Sequence, residues 1–331
     1  MIMNLADQKF ILTPIKNTLL VQMPPKLTVM EAMALKKEYR QWIEEETIEK
    51  IILDFGKTKF IDSSGIGSLV SMIKFTKEQK IVLQIWSILP QVAEVFSLIG
   101  MEKVLPIIAH TEPTIPISGS KLTDLPSVTH PSVRSKTKRL IDIIGGLMGL
   151  GFVAILFIPV AIAIKLDSPG PVLFSQTRCG WMGKRFKIWK FRSMVTNAEA
   201  LKATIDNQAQ GAFFKNENDP RITRVGKFLR KTSLDEFPQF WNVVKGEMSL
   251  IGTRPPTPNE VEQYEVPNWQ RLDVRPGLSG EWQVNGRSKI RDFEDVIKLD
   301  LRYQENWSLM YDFKLILKTI TVIFSKDSGA A

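Results

Sequence analysis

The run "IIGGLMGLGFVAILFIPVAIAI", from Ile143 to Ile164, holds 22 residues without a single charge, and it constrains this chain more than any other stretch. At about 1.5 Å of rise per residue, a helix of that length matches a hydrocarbon core of roughly 30 Å. Two features oppose a simple span. Pro159 falls late in the run, where its missing N–H removes a helical hydrogen bond and bends the axis, so a break is expected there. Basic residues also stand on both flanks: Lys136, Lys138 and Arg139 before, and Lys165, Arg178, Lys184, Arg185, Lys187, Lys190 and Arg192 after. Positive charge favours the cytoplasmic face, and only a helix that enters, bends and returns puts both ends there. The expectation is a re-entrant, Pro-broken membrane helix over about 140–166, with a spanning helix and a buried core helix as alternatives.

A chain of 331 residues with 44 % hydrophobic content suggests about two domains, each with its own core. The single cysteine, Cys179, cannot form an intramolecular disulfide and points to a reducing compartment. The polar start "MIMNLADQKF" does not resemble a signal peptide, so the N-terminal domain is expected in the cytoplasm. Charge is uneven: residues 1–108 hold 13 Lys and Arg against 12 Asp and Glu, and the remainder 31 against 23. That basic bias suits anionic lipid, nucleotide phosphates or nucleic acid. Both histidines lie in one Pro-, Ser- and Thr-rich stretch, which leaves acid/base or nucleophilic chemistry to carboxylates, Lys or Arg.

Residues 1–108 alternate short apolar runs with helical patterns: "NTLLVQM", "AMALKKEYRQWIEEE", "KIILDF", "IGSLVSMIKFTKEQK", "IVLQIWSI", "VAEVFSLIG". This reads as a small α/β domain with a mostly buried sheet. Residues 109–135 lack hydrophobic periodicity and read as a linker. The remainder, 136–331, reads as a mainly α membrane-associated domain. Within the first domain, "KTKFIDSSGIGSLV" resembles the Asp-Ser-Ser-Gly turn of STAS domains, the anti-sigma-factor antagonist-like modules, over about a hundred residues. Asp62, Ser63, Ser64 and Gly65 match it. The resemblance implies a regulatory or interaction module, with a protein partner or kinase and with Ser63 as the phosphorylated position. A phosphate there would meet free amides at a helix N-terminus. The alternative is that Asp62 or Ser63 only caps that helix.

In the second domain, "NENDPRITRVGKFLRK" opens with Asp219 as an expected cap and Pro220 in the first turn. Ile222, Val225 and Leu229 form an apolar stripe beside Arg221, Arg224, Lys227 and Arg230, an amphipathic helix suited to an anionic interface or to plain solvation. "TSLDEFPQFWNVVKGEMSLIGTRP" follows, and Ser233-x-x-Glu236 fits a capping box. Asp235 would then sit near a helix N-terminus, held ionised by the dipole and by Arg230 and Lys231, the state a nucleophile needs. Arg254, on a rigid proline-rich turn, carries a fork that suits a phosphate; a surface arginine is the alternative.

At this point the series "KRLIDIIGG", "SPGPVLFSQTRCG", "FKIWKFRSM", "NDPRITRVGKFLRKTSLDEFPQFWNVVKGEMSLIGTRP", "RPGLSGEWQVNGR" and "DLRYQENWSLMYDFKLILKT" resembles the bacterial sugar transferase family, the monotopic polyprenyl-phosphate phosphoglycosyl transferases, over about 136–325. That resemblance implies transfer of a sugar 1-phosphate from a UDP-sugar to undecaprenyl phosphate, with release of UMP, at the cytoplasmic face of the bacterial inner membrane. Exopolysaccharide, capsule, O-antigen or glycoprotein glycan assembly would begin with this step. It implies Asp235 as nucleophile and Mg²⁺ ligand, and Glu236 as the group that positions or manages a proton. Arg254 would contact phosphate; Arg230 and Arg192 fall on basic motif positions, and Asp300 and Tyr303 on a further one. Large members of the family carry membrane helices and a nucleotide-fold domain upstream, whereas this chain carries the STAS-like domain, which leaves regulation and a homodimer open.

A second reading is a membrane-tethered STAS-type regulatory protein whose transferase domain is inactive. The intact dyad and arginine positions argue against it, and UMP release would discriminate. Nucleic-acid binding draws only on net charge and lacks clustered aromatics within a basic stripe.

Overall fold

The computed structural model describes residues 10–44, 48–107, 129–201, 204–208, 216, 218–285, 290 and 292–324. The chain divides into two compact units: one comprises Met1–Thr129, Met182–Lys184 and Tyr264–Asp273, the other His130–Trp181, Arg185–Gln263 and Val274–Ala331.

The first unit contains strands β1 (Ile11–Ile15), β2 (Thr18–Gln22) and β3 (Lys26–Leu27), helix α1 (Val29–Glu44), strands β4 (Lys50–Phe55) and β5 (Phe60–Ile61), helix α2 (Ser63–Glu78), strand β6 (Val82–Ile88) and helix α3 (Pro90–Ile99). Four strands pair in the order β1-β2-β4-β6, β1 antiparallel to β2 and the other neighbours parallel. Alternate residues of β2 and β4 are buried, and Val21, Ile51, Leu53 and Phe55 are closed off from solvent, as are Leu35 and Tyr39 of α1 and Leu69 and Met72 of α2. Asp62 caps α2, its Oδ1 accepting the Gly65 N–H at 2.8 Å. Gly100 ends α3 in the left-handed conformation, φ 73°. The six runs read from the sequence correspond to β2, α1, β4, α2, β6 and α3, while the mostly exposed β1 and the two-residue β3 and β5 lie outside them.

The second unit is mainly helical. It runs through α4 (Pro131–Arg134), α5 (Lys136–Asp167), the antiparallel pair β7 (Leu173–Cys179) and β8 (Arg185–Phe191), and α6 (Ala198–Leu201). It continues with α7 (Arg224–Lys231), α8 (Phe240–Lys245), β9 (Ser249–Ile251), α9 (Pro258–Glu262), β10 (Gly277–Ser279), α10 (Glu281–Val284), α11 (Phe293–Glu305) and α12 (Leu309–Phe324). The end of the stretch read as linker is therefore structured: Pro131 starts α4, and His130 Nε2 lies 3.1 Å from the Gln304 carbonyl. Residues 109–128 of that stretch lie outside the described residues.

Among the described residues, α5 is the one helix long and apolar enough to cross a membrane. It runs 32 residues without interruption, Pro159 inside it. The expected break is absent: one lost amide bond and a ring clash cost on the order of 3 kcal/mol, and apolar flanking residues offer the freed backbone no partner outside the helix. One face packs inward through Lys138, Asp142, Gly146 and Gly149. A Cβ at Gly146 would meet Val244 and one at Gly149 would overlap the Phe240 ring, so these glycines set how closely α8 approaches. The other face exposes Leu147, Met148, Phe152, Ile155 and Ile158, Ile155 at 74 %.

Inside, Lys138 Nζ donates to Asp312 Oδ2 at 2.5 Å and to the Ile251 carbonyl at 3.0 Å. Tyr303 donates to Asp312 Oδ1 at 2.8 Å, and Trp307 Nε1 to Oδ2 at 3.1 Å. Burial, then the Asp312 charge, push the Tyr303 hydroxyl well above the ordinary tyrosine range. Several charges counted as membrane flanks are likewise internal. Arg139 binds the carbonyls of Val243 and Val244 at 2.7 and 2.6 Å, closing the end of α8. Asp312→Ala would strand the Lys138 ammonium in a buried site, and a loss of about 3–5 kcal/mol is expected. Asp295→Ala, which removes an exposed pair with Lys298, is expected to cost under about 1 kcal/mol. Denaturant unfolding of both variants in the same detergent checks the contrast.

Candidate active site

The dyad rests on β8. Asn242 of α8, fully buried, donates from Nδ2 to the Lys187 carbonyl at 2.7 Å and to Glu247 at 2.8 Å. Its Oδ1 accepts the Trp189 N–H at 3.3 Å. Residues Leu234–Gln239 form a 3₁₀ helix that leads directly into α8. Ser233 does not cap it: the residue takes φ 56°, a left-handed conformation, and makes no side-chain cap bond. The cap lies earlier. Thr223 opens α7 by accepting the Gly226 N–H at 3.0 Å, whereas Asp219, the expected cap, is spent on Arg221 in a buried ion pair of 2.6 Å. Gly226 is required because a Cβ there would overlap the Ser193 carbonyl.

Asp235 is 5 % exposed. Beside it Glu236 pairs with Lys190 of β8 at 2.8 Å. Arg230 Nε donates to Ser193 Oγ at 3.0 Å. Arg254 is held by both oxygens of Glu260, at 2.7 and 3.1 Å, its guanidinium carbon 5.8 Å from the centre of the Trp282 ring. Glu260 in turn closes a capping box with Thr257 at the start of α9. Asp300 accepts the Arg254 N–H at 3.4 Å. Arg178, bonded to the Pro255 carbonyl at 2.9 Å, is pushed down to about 10 by burial and by the Arg254 charge, against the opposing pull of Glu260 and Glu236. Those mutual influences put Glu236, Arg178, Arg254 and Glu260 in one electrostatic neighbourhood.

Two expected site residues stand elsewhere. Arg192 binds the carbonyls of Ser168 and Pro169, both at 2.6 Å, and of Ile164 at 3.4 Å. It therefore closes the C-terminal end of α5, where a cation meets the negative end of the dipole. Tyr303 belongs to the Asp312 cluster. Lys190, Arg178 and Glu260 went unnoticed because the first two read as flanking charges; Glu260 had a legible signal in Thr257-Pro-Asn-Glu260, a second capping-box spacing.

Lys190, Arg178 and Arg254 share one neighbourhood with Glu236, a grouping of cations that suits a multiply charged anion. Among the described residues no group of three or more His, Cys, Asp or Glu could hold a metal alone. A single carboxylate such as Asp235 could hold Mg²⁺ only with further oxygen ligands from outside the protein.

In the first unit, Ser63 is fully buried. Its hydroxyl donates to the Trp269 carbonyl at 2.6 Å and its N–H to Asp273 Oδ1 at 2.9 Å. Access to Ser63 Oγ therefore requires this segment to move.

Two family descriptions match the chain: Bacterial sugar transferase over residues 133–326 and STAS domain over residues 10–115. The protein belongs to the bacterial sugar transferase family and carries a STAS-like α/β domain ahead of the family region. Galactosyl transferase CpsE of Streptococcus agalactiae is 49 % identical over 191 residues, 56 % of this chain and 42 % of that protein. Undecaprenyl-phosphate galactose phosphotransferase of Salmonella typhimurium is 41 % identical over 198 residues, 58 % of this chain and 41 % of that protein. Exopolysaccharide production protein ExoY of Sinorhizobium fredii is 35 % identical over 193 residues, 56 % of this chain and 85 % of that protein. The chain thus spans less than half the length of the first two relatives.

Burial, then the Asp273 charge, push Asp62 up to about 7, and burial pushes Asp273 up to about 6. Folded carboxyls with raised values bind more protons than unfolded ones, so their contribution is full below the ordinary carboxylate range and is lost as pH rises through about 6 and about 7. The first unit should gain stability on acidification across that window. Amide exchange of β4, corrected for intrinsic rates, reads it; protection that falls on acidification contradicts the assignment.

Proposed function

We propose that the chain transfers a sugar 1-phosphate from a UDP-sugar to undecaprenyl phosphate. The observation that carries this is a buried Asp235 beside the Glu236–Lys190 pair, with Glu236 in the same electrostatic neighbourhood as Arg178 and Arg254. The curated relatives support it: proteins named as undecaprenyl-phosphate transferases of galactose, glucose or N-acetylgalactosamine are 40–41 % identical over the family region.

An Asp235 carboxylate oxygen attacks the β-phosphorus. The bond from that phosphorus to the bridging oxygen breaks, and UMP leaves with the electron pair. The phosphosugar is then an acyl phosphate on Asp235. A phosphate oxygen of undecaprenyl phosphate attacks the same phosphorus, the acyl–phosphate bond breaks, and Asp235 recovers its carboxylate as the diphosphate-linked sugar departs. Splitting one meeting of anions into two steps, each beside fixed cations, lowers their repulsion. Glu236, oriented by Lys190, positions groups or manages a proton. Arg254 and Arg230 hold phosphate oxygens, and Arg254 exchanges Glu260 for substrate as it does so. Mg²⁺ at Asp235 would offset diphosphate charge.

The exposed face of α5 gives the family region its hold on the membrane. Met310, Phe313, Leu317 and Ile320, one exposed stripe of α12, add an apolar surface at interfacial spacing. An uninterrupted α5 that lodges in one leaflet without crossing the bilayer would keep both flanks, and with them the STAS-like domain, on the cytoplasmic face.

Asp235→Asn should reduce UMP release from a panel of UDP-sugars by about 10³-fold or more while the protein still inserts; retained turnover excludes the covalent role. Single cysteines placed on either flank of 143–164, in a background lacking Cys179, should label from the same side of the membrane. Labelling from opposite sides makes α5 a spanning helix.

A further inference from the structure

The segment Tyr264–Asp273 lies in the middle of the sugar transferase match, yet it folds with the STAS-like unit. It forms a 3₁₀ helix over Val266–Leu272, stiffened where buried Arg271 donates to the Tyr264 hydroxyl at 2.8 Å. Its grip on the STAS-like unit is specific. The Trp269 ring sits on Gly67 of α2, where a Cβ would come within 2.5 Å of ring atoms. Ser63 gives its hydroxyl to the Trp269 carbonyl and its N–H to Asp273, at 2.6 and 2.9 Å. Lys36 of α1 pairs with Glu265 at 2.7 Å. The Asp-Ser-Ser-Gly turn is thus occupied by a ligand from the same chain, whose carboxylate stands where an anion meets the free amides of a helix start.

Both ends of that ligand run within a few residues into groups that hold Arg254. Upstream lies Glu260, its bidentate partner. Downstream, Pro276 bridges Thr253, and the Gly277 N–H donates to the Thr253 carbonyl at 2.8 Å. Thr253 directly precedes Arg254. A shift of the segment therefore pulls on Arg254 from both sides.

We propose that the STAS-like domain is an internal regulator whose ligand is Tyr264–Asp273, and that holding or releasing this segment sets the placement of Arg254. The catalytic consequence rests on Arg254 as the phosphate-binding arm; the docking and its coupling do not.

Hydrogen–deuterium exchange on the full chain tests both parts. Ser63→Glu removes the hydroxyl donor and sets a carboxylate against Asp273; Gly67→Leu displaces the Trp269 ring; Trp269→Ala removes it while leaving α1 and α2 untouched. Exchange over 264–273 should rise about tenfold or more in each. Exchange over 253–262 should rise with it, and β4 and α5 should keep their protection. KM for UDP-galactose should change more than kcat. A segment that stays protected overturns the docking, and release without any change over 253–262 overturns the coupling. Lost protection in β4 marks a misfolded variant, and Trp269→Ala then decides. Absence of UMP release by the wild type from every UDP-sugar of the panel would instead refute the transferase reading and leave the exchange result standing.

Discussion

The second unit depends on giving one long apolar helix a polar, tightly packed inner face. Lys138, Asp142, Gly146 and Gly149 lie on that face of α5. Its glycines admit α8, and its lysine is neutralised by Asp312 across 174 positions of sequence. A buried ion pair of this kind contributes little net stability over a well-packed apolar pair, because desolvation offsets the attraction. Its value lies in register: Asp312 accepts Lys138, Tyr303 and Trp307 together, which leaves α5, α11 and α12 one mutual arrangement.

Positive charge near α5 serves two ends, and the structure separates them. Arg139 and Arg192 spend their guanidinium groups on carbonyls at helix C-termini. Arg178, Lys190 and Arg254 are held by Pro255, Glu236 and Glu260 around the dyad. In the second set the partners are oxygen acceptors, the kind of contact that a bound anion also offers. Held rotamers lose less entropy when the anion arrives.

Local signals were the legible ones. The strands of the STAS-like domain alternate with period two, and Asp62 caps α2 from three residues away, so both could be read directly. The capping signals at Asp219 and Ser233 failed although their spacing was right. Asp219 had a stronger local partner in Arg221, and the turn between α7 and the 3₁₀ helix forced Ser233 to a positive φ. Arg192 matched a basic motif position, but its role followed from where the chain after α5 returns, which no local pattern encodes. The 3₁₀ helix at Val266–Leu272 gave no sign of its partner, because its anchors on Ser63 and Gly67 lie about two hundred residues away.

The sequence by itself determined the apolar length of α5 and the α/β character of the first unit, since each depends on residues within a few turns of one another. Only the tertiary structure decided which cations face the dyad, that α5 continues through Pro159, and that a transferase segment fills the Asp-Ser-Ser-Gly turn. Those outcomes hang on desolvated charges finding particular partners far along the chain, and burial makes an unmet partner costly enough to select one arrangement.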